Sequence, residues 1–507
     1  MRLSMTKLLF LLLLIGVVAF SFGNAGRALD KIQESRVAET AREMVISQQW
    51  MLPHFNGELR LQKPPLTYWT TALSFHSLGI HEFSLRLPSL LFGLATIAII
   101  FIWLSRRVDK QTGFVAALIL LSSFIGMRYF RSAEADATLI FFITLSLMTF
   151  DNLSQVTTPS QRKAWGRLMM LSVGLAFLTK GPAGIAIPAL SAILWGWRRE
   201  DLGFKTVLSD GIAWALLIIT AFAWYLWIIL AMPDIASQFF NKQLDETFVS
   251  GSHQQPIYWY LLHAVEFFSP WGILILPAIW FYWRLRTDHS LIRLAMTWLM
   301  VVFVLLTLTV NKQTQYALLL LPPVSILLAY YFVHATHVWQ RIHRWIGLLL
   351  ALIVVGLFTN IVWRQGASLS IISLGAFFLL PFVVFKFWQI RLMDSLLSVA
   401  LVWALSSSTI YLLVEQYFNN SEEKQDIKQL AQQSKQLRPM LQFSPGNGAI
   451  SFYSGDIVPE ITHQQLEAKL HDAQPIWVFA KSTAKFDGLE ASREMQKGSW
   501  CIWQVAQ

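Results

Sequence analysis

The chain has 507 residues, 55% of them hydrophobic and only 14% charged, with 22 tryptophans and 36 phenylalanines. A soluble protein of this length would carry about a quarter of its residues as Asp, Glu, Lys and Arg, so the composition indicates a polytopic membrane protein. The net charge of +10 is spread over short loops between apolar runs, which argues against a nucleic-acid partner. The single cysteine, Cys501, excludes an intrachain disulfide and any CxxC metal or redox motif.

In chain order, MRLSMTK followed by LLFLLLLIGVVAFSFG has the basic-then-apolar form of a signal peptide, with Ala25 near a conceivable cleavage point. The many later apolar runs make a first transmembrane helix the simpler reading. Runs of spanning length recur at about 7–23, 84–105, 112–130, 137–152, 167–180, 182–197, 211–232, 257–283, 293–310, 316–335, 345–363, 369–388 and 394–415. With the N-terminus inside, every inner connection is basic: Arg2/Lys7, Arg106/Arg107/Lys110, Arg162/Lys163/Arg167, Arg198/Arg199/Lys205, Arg284/Arg286/Arg293, Arg341/Arg344 and Lys386/Arg391. The positive-inside rule therefore supports about thirteen transmembrane helices and sets their orientation.

An odd count places the tail outside. That tail, 416–507, is expected to be a small soluble α/β domain following a membrane domain over 1–415. SEEKQDIKQLAQQSKQL is polar and helix-prone, PGNG at 445–448 signals a turn, and AISFYSG and PIWVFAK are short β-rich runs.

The outer connections 24–83, 129–136, 180–182, 232–256 and 311–316 carry the unusual polar residues. The densest block runs from Glu34 to Trp69. Within it Glu34, Val37, Ala38, Ala41, Met44 and Val45 recur at helical spacing, with Arg36, Glu39, Arg42 and Glu43 on the other side, as in an interfacial helix. Lys63-Pro64-Pro65 follows, then Tyr68 and Trp69. The prolines fix the backbone, and a lysine held rigidly is suited to bind phosphate as a point charge.

Asp136 begins a span, where an acid either caps a helix or serves as a reacting carboxylate, with Arg128 or Arg131 as anion ligands. Lys180, in Lys180-Gly181-Pro182, and the pair Lys312/Tyr316 are interfacial anchors or parts of the same site. His253 would hold a metal only by meeting a carboxylate from another loop.

Several of these motifs, taken together and in order, resemble the bacterial GT-C glycosyltransferases of the aminoarabinose transferase and protein O-mannosyltransferase-like family. ESRVAETAREM resembles the family's DEARYAEIAREM, and WMLPHFNGELRLQKPPLTYW its WLVPHLNGEPYLEKPPLYYW. ADATLIFF around Asp136, LTKGP at 178–182 and KQTQYALLLLPP at 312–323 fall in register, so the likeness covers roughly 25–325.

The resemblance implies a polytopic GT-C fold and a multi-pass protein of the bacterial inner membrane, with its active site and C-terminus periplasmic. It implies inverting transfer of a sugar from a polyprenyl-phosphate donor, such as undecaprenyl phosphate, to lipid A, another glycan or a protein. The donor phosphate needs cations, for which Lys63, Arg36, Lys180 and Lys312 are candidates with Tyr316 beside them; Glu39, Arg42, Arg131 and His253 are further site candidates.

Two departures matter. Gln33 stands where the family has a catalytic Asp, so the base falls to Glu34 with Asp136, or to Asp30 one turn earlier. Gln62 stands where metal-binding members have the Glu of EKPP, which argues against a divalent-metal site with His253. Two other classes remain: a degenerate relative that binds polyprenyl phosphate without catalysis, and a lipid or sugar transporter. A transporter would place its charges near the bilayer midplane rather than at span ends.

Overall fold

The computed structural model describes residues 4–29, 32–196, 204–233, 254–285 and 289–335, scattered residues from 339 to 353, and residues 395–418, 422–443, 448–470 and 476–506 without 485, 487 and 488. Helix α1 (Met5–Ser21) is capped by the Ser4 hydroxyl, which accepts from the Lys7 amide. Helix α2 (Ile32–Ser47) is followed by a two-stranded hairpin, β1 (His54–Phe55) and β2 (Glu58–Leu59), closed by Asn56 and Gly57 with φ of 53° and 79°. Both residues are left-handed, as a two-residue hairpin loop requires. Helix α3 (Leu66–Leu78) starts directly after Pro64-Pro65. Helix α4 (Glu82–Arg107) opens with a capping box between His81 and Ser84.

Helices α5 (Lys110–Ser122), α6 (Phe124–Tyr129), α7 (Ala135–Gln155), α8 (Pro159–Lys180) and α9 (Ala183–Gly196) complete the first half. Among the described residues, five helices are long and apolar enough to cross a membrane: α4, α7, Gly211–Ala231, Ser290–Leu308 and Thr314–His334. Shorter apolar helices are α1, α5, α9 and Ala400–Leu412. The protein is a multi-pass membrane protein. Trp, Phe and Leu side chains from most of these helices form one continuous apolar core, while Gly211–Ala231 buries Ala213, Leu217 and Ala221 in a separate cluster with Met170 and Val173 of α8.

Two apolar runs do not form single helices. The run 112–130 breaks at Ser123, whose backbone is extended and whose neighbour Phe124 donates its amide to the Ser269 carbonyl at 3.0 Å. The run 257–283 divides into helices Trp259–Leu262 and Ala264–Phe267, a 3-10 turn Trp271–Leu274 and a helix Ile275–Leu285. Pro270, which cannot donate a backbone hydrogen bond, sits at one of these breaks. Length and hydrophobicity do not register such breaks. The runs 345–363 and 369–388 lie almost entirely outside the described residues.

Beyond a helix Ser395–Phe418, the tail has a helix Glu422–Gln433 and a mixed five-stranded sheet in the order β4-β3-β5-β7-β6. β3 (Met440–Phe443) runs parallel to β4 (Glu460–Ile461) and β5 (Ile476–Lys481), and β7 (Trp500–Ala506) antiparallel to β5 and β6 (Glu490–Lys497). PIWVFAK is thus a strand as expected, but AISFYSG lies in the helix Gly448–Ser454. Every residue of that helix is buried, polar and apolar alike, so no amphipathic period separated helix from strand.

This helix packs on α2. A Cβ on Gly448 would lie 2.9 Å from the Ser35 carbonyl and 2.7 Å from the Phe55 ring, so only glycine permits the approach. Ser451 donates to Asn56 at 2.7 Å, and the Tyr453 hydroxyl accepts from the Leu29 amide at 3.0 Å. The tail domain and segment 24–83 therefore share one end of the helix bundle.

Candidate active site at one end of the helix bundle

Helices α7 and α8 are antiparallel neighbours joined by a short link, so the start of α7 and the end of α8 come level. Asp136 lies in the first turn of α7, where the helix dipole favours an acid, and Lys180 is the last residue of α8, where it favours a base. Gly181 stops α8 there with φ of 77°, a conformation that L side chains rarely adopt, while its amide donates to Phe177. Lys180 Nζ donates to Asp136 Oδ1 at 2.5 Å and lies 4.4 Å from the centroid of the Tyr316 ring, which comes from the 3-10 turn Thr314–Leu320. Ion pair and ring fix the ammonium from two directions.

Lys63 approaches from the loop before α3. Its Nζ donates to Gln33 Oε1 on α2 at 3.0 Å. Burial pushes the Lys63 ammonium down to about 8, and the charge of Lys180 adds to this; Asp136 and Glu134 oppose the shift. Two ammonium groups, one carboxylate, an amide and an aromatic ring thus meet from five chain segments. Lys63, Lys180 and Arg60 against Asp136 and Glu134 leave one surplus positive charge, which suits an anion with a carboxylate alongside.

The remaining expected residues are placed differently. Glu34 is fully buried, and both its oxygens are engaged by Arg86, at 2.8 and 2.9 Å. The Ala133 amide donates to it at 3.1 Å, and Arg27 lies 3.8 Å away. A carboxylate held this way stabilises charge and fixes loops; it is poorly disposed to take a substrate proton.

Arg131 is also fully buried. It pairs with Glu415 at 2.7 Å and donates to the carbonyls of Phe22, at 2.7 Å, and Ala19. It therefore ties α1 to the last membrane helix and is not turned to the anion seat. Lys312, buried, donates to the Thr309 carbonyl at 2.5 Å and closes the end of the helix Ser290–Leu308.

Arg42 forms a bidentate pair with Glu39, at 2.6 and 2.7 Å, and donates to the Gly455 carbonyl at 3.0 Å, which places both residues at the seam with the tail domain. Burial lifts the Glu39 carboxyl to about 7, against the pull of Arg42. Arg36 is half-buried on α2. Asp30 and His253 lie outside the described residues. Among the described residues, no three His, Cys, Asp or Glu side chains come together as a metal-ligand set.

Sequence reasoning passed over Arg86 and Glu415. Arg86 was the readable signal, because an arginine inside an apolar helix demands a partner. All five of its N–H donors are used, on Glu34 and on the carbonyls of Asn24, Arg27 and Ala28.

Comparison with known proteins bears on this arrangement. A family model described as dolichyl-phosphate-mannose-protein mannosyltransferase matches residues 62–227, a stretch that begins one residue before Lys63 and includes Asp136 and Lys180. An uncharacterized protein of Aquifex aeolicus is 30% identical over 64% of this chain and 74% of its own length. The chain belongs to this GT-C glycosyltransferase family.

Among named relatives, the undecaprenyl phosphate-alpha-4-amino-4-deoxy-L-arabinose arabinosyl transferase of Edwardsiella ictaluri is 28% identical over 68% of this chain. The chain spans 63% of that relative's length. The fold matches the crystal structure of ArnT from Cupriavidus metallidurans bound to undecaprenyl phosphate, with a TM-score of 0.81 at 18% identity over 99% of this chain and 98% of that one. As a family member the protein is a glycosyltransferase, with the ArnT-like architecture of apolar helices and a C-terminal mixed sheet.

Proposed function

We propose that this glycosyltransferase takes its sugar from a polyprenyl phosphate, such as undecaprenyl phosphate, and transfers it with inversion to an envelope acceptor (lipid A, a glycan or a protein) on the periplasmic face of the inner membrane. The observation that carries this reading is the pair of ammonium groups, Lys63 on Gln33 and Lys180 on Asp136, gathered at one end of the bundle. A lipid-borne phosphate reaches such a site from the bilayer without leaving it. The undecaprenyl phosphate in the matched ArnT structure and in the named arabinosyl transferases supports the donor class.

In this mechanism Lys63 and Lys180 hold the donor phosphate, and the Tyr316 ring braces Lys180. When the phosphate enters, Lys180 exchanges Asp136 for a phosphate oxygen, which frees the carboxylate. The acceptor oxygen attacks the anomeric carbon on the face opposite the phosphate while Asp136 takes its proton. The carbon–oxygen bond to phosphate breaks, and the electron pair leaves with the phosphate, where the two cations stabilise the growing charge. Glu34 is a positioning residue: through Arg86 and the Ala133 amide it fixes the start of α2, which carries Gln33, and the strand of loop leading into α7.

Membranes supplied with a radiolabelled polyprenyl-phosphate sugar test the assignment. Wild-type protein moves label into envelope material, and Asp136→Asn lowers turnover by about 10²- to 10⁴-fold, as loss of a general base does. Undiminished turnover in Asp136→Asn overturns its role. A wild-type protein that binds donor without transfer marks the phosphate-binding relative that Gln33 brings into question. For orientation, a reporter active only in the periplasm and fused after Gln507 is expected to be active; an inactive fusion contradicts the periplasmic site.

A further inference from the structure

The two lysines of the site are held in unlike ways. Lys180 is matched by a carboxylate, whereas Lys63 is bonded to an uncharged amide. We propose that Gln33 is a positioning residue that orients the Lys63 ammonium without forming an ion pair with it, so that its charge remains available to the donor phosphodiester. This rests on the reading that the site takes a polyprenyl-phosphate donor.

The geometry is direct. Gln33 Oε1 accepts one N–H of Lys63 at 3.0 Å. An ammonium has three such donors, so two remain for phosphate oxygens. The charged groups around Lys63 are Lys180 at the end of α8, Arg60 in its own loop, and Asp136 and Glu134 at the start of α7. Asp136 bonds Lys180, and Glu34, next to Gln33 on α2, is held by Arg86. Among the described residues no carboxylate bonds Lys63. A glutamate at position 33 would change this, because it would form an ion pair with Lys63 and compete with the phosphate for it.

The difference has a pH signature. An ammonium attracts the anion and a free amine does not, so binding is fully supported below the Lys63 pKa and weakens as pH rises through about 8. In Gln33→Glu the new carboxylate raises that pKa by about 1 to 3 units, as an opposite charge at this range does. The variant therefore binds more weakly at pH 7, by about tenfold, yet its alkaline loss begins at higher pH. A residue that only helped folding would move both curves together.

The test measures the Kd of polyprenyl methyl phosphate for the full-length protein in lipid nanodiscs from pH 6 to 10. This diester keeps one negative charge over the whole range, so only the protein titrates. Wild-type affinity should be level up to about pH 8 and then fall by up to tenfold per unit; Gln33→Glu should start weaker and break later. A Gln33→Glu curve superimposed on that of the wild type overturns the proposal while leaving the donor site intact. Wild-type protein that fails to bind the diester at any pH overturns the donor reading, and this inference with it. Should Gln33→Glu not fold, Lys63→Arg decides: its charge is permanent, so affinity level from pH 6 to 10 supports the proposal and a break retained near 8 overturns it.

Discussion

Two clusters of charge lie at the same end of the bundle, and they are built on opposite plans. In one, Arg27, Arg86 and Arg131 share Glu34 and Glu415, and each also donates to at least one backbone carbonyl. In the other, Asp136 pairs directly with Lys180, Glu134 lies near both lysines, and an amide and an aromatic ring complete the contacts. The first uses arginine's rigid planar fork to spread its bonds over carboxylates and backbone carbonyls. The second uses lysines as point charges, and Lys63 keeps two N–H groups for a ligand. Close-set charge at one end of the bundle thus does two jobs here, and the identity of the cation together with the use of its N–H groups tells them apart. The closed cluster holds segment 24–34, α4 and the last membrane helix together, and the open one is left to bind.

Substitutions that remove one charge from each cluster should separate these jobs. Arg86→Leu leaves Glu34 buried without its main partner and is expected to cost about 3–5 kcal/mol, read as a large fall in the unfolding temperature in detergent together with loss of activity. Lys63→Met leaves only an uncharged amide, so the protein should melt like the wild type while donor affinity falls by about ten- to a hundredfold, the value of a charge-assisted hydrogen bond to phosphate. Equal thermal losses in the two variants would erase the distinction between clusters. The smallest effect is expected at Tyr316. Tyr316→Leu removes the ring beside Lys180 and should weaken donor binding by a few-fold, in keeping with about 1 kcal/mol for such a contact, whereas Tyr316→Phe retains it. A larger loss in Tyr316→Phe than in Tyr316→Leu would shift the role from the ring to the hydroxyl.

Much of the site was legible before any coordinates. Span counting alone brought Lys63, Asp136, Lys180 and Tyr316 to one face, because residues at alternate span ends must meet there. What it could not show was pairing. Glu34 and Arg86 lie on different helices, and no periodicity in either segment reveals that one neutralises the other, so Glu34 read as a free carboxylate. Arg131, read with Arg128 as a candidate anion ligand, hid its pairing for the same reason, since its partner Glu415 is remote in the chain. Gln33 stood out only as a departure from a family pattern; its bond to Lys63 gives it a task. The breaks at Ser123 and near Pro270, and the helical state of 448–454, were hidden because hydropathy reports burial rather than backbone geometry. The tail domain, anchored on α2 through Arg42 and on the β1–β2 turn through Ser451, makes the outer face of α2 structural and leaves its first turn to the site.

The most direct test of the account is to locate the donor phosphate. A polyprenyl phosphate carrying a photoreactive group next to its phosphate can be bound to the full-length protein in nanodiscs, irradiated, and the labelled peptides mapped. Label concentrated in the segments around Lys63, Lys180 and Tyr316, and displaced by excess unlabelled polyprenyl phosphate, is the predicted result. Competable label at the opposite end of the bundle, around the Arg107–Asp151 pair, or in the tail domain would contradict it.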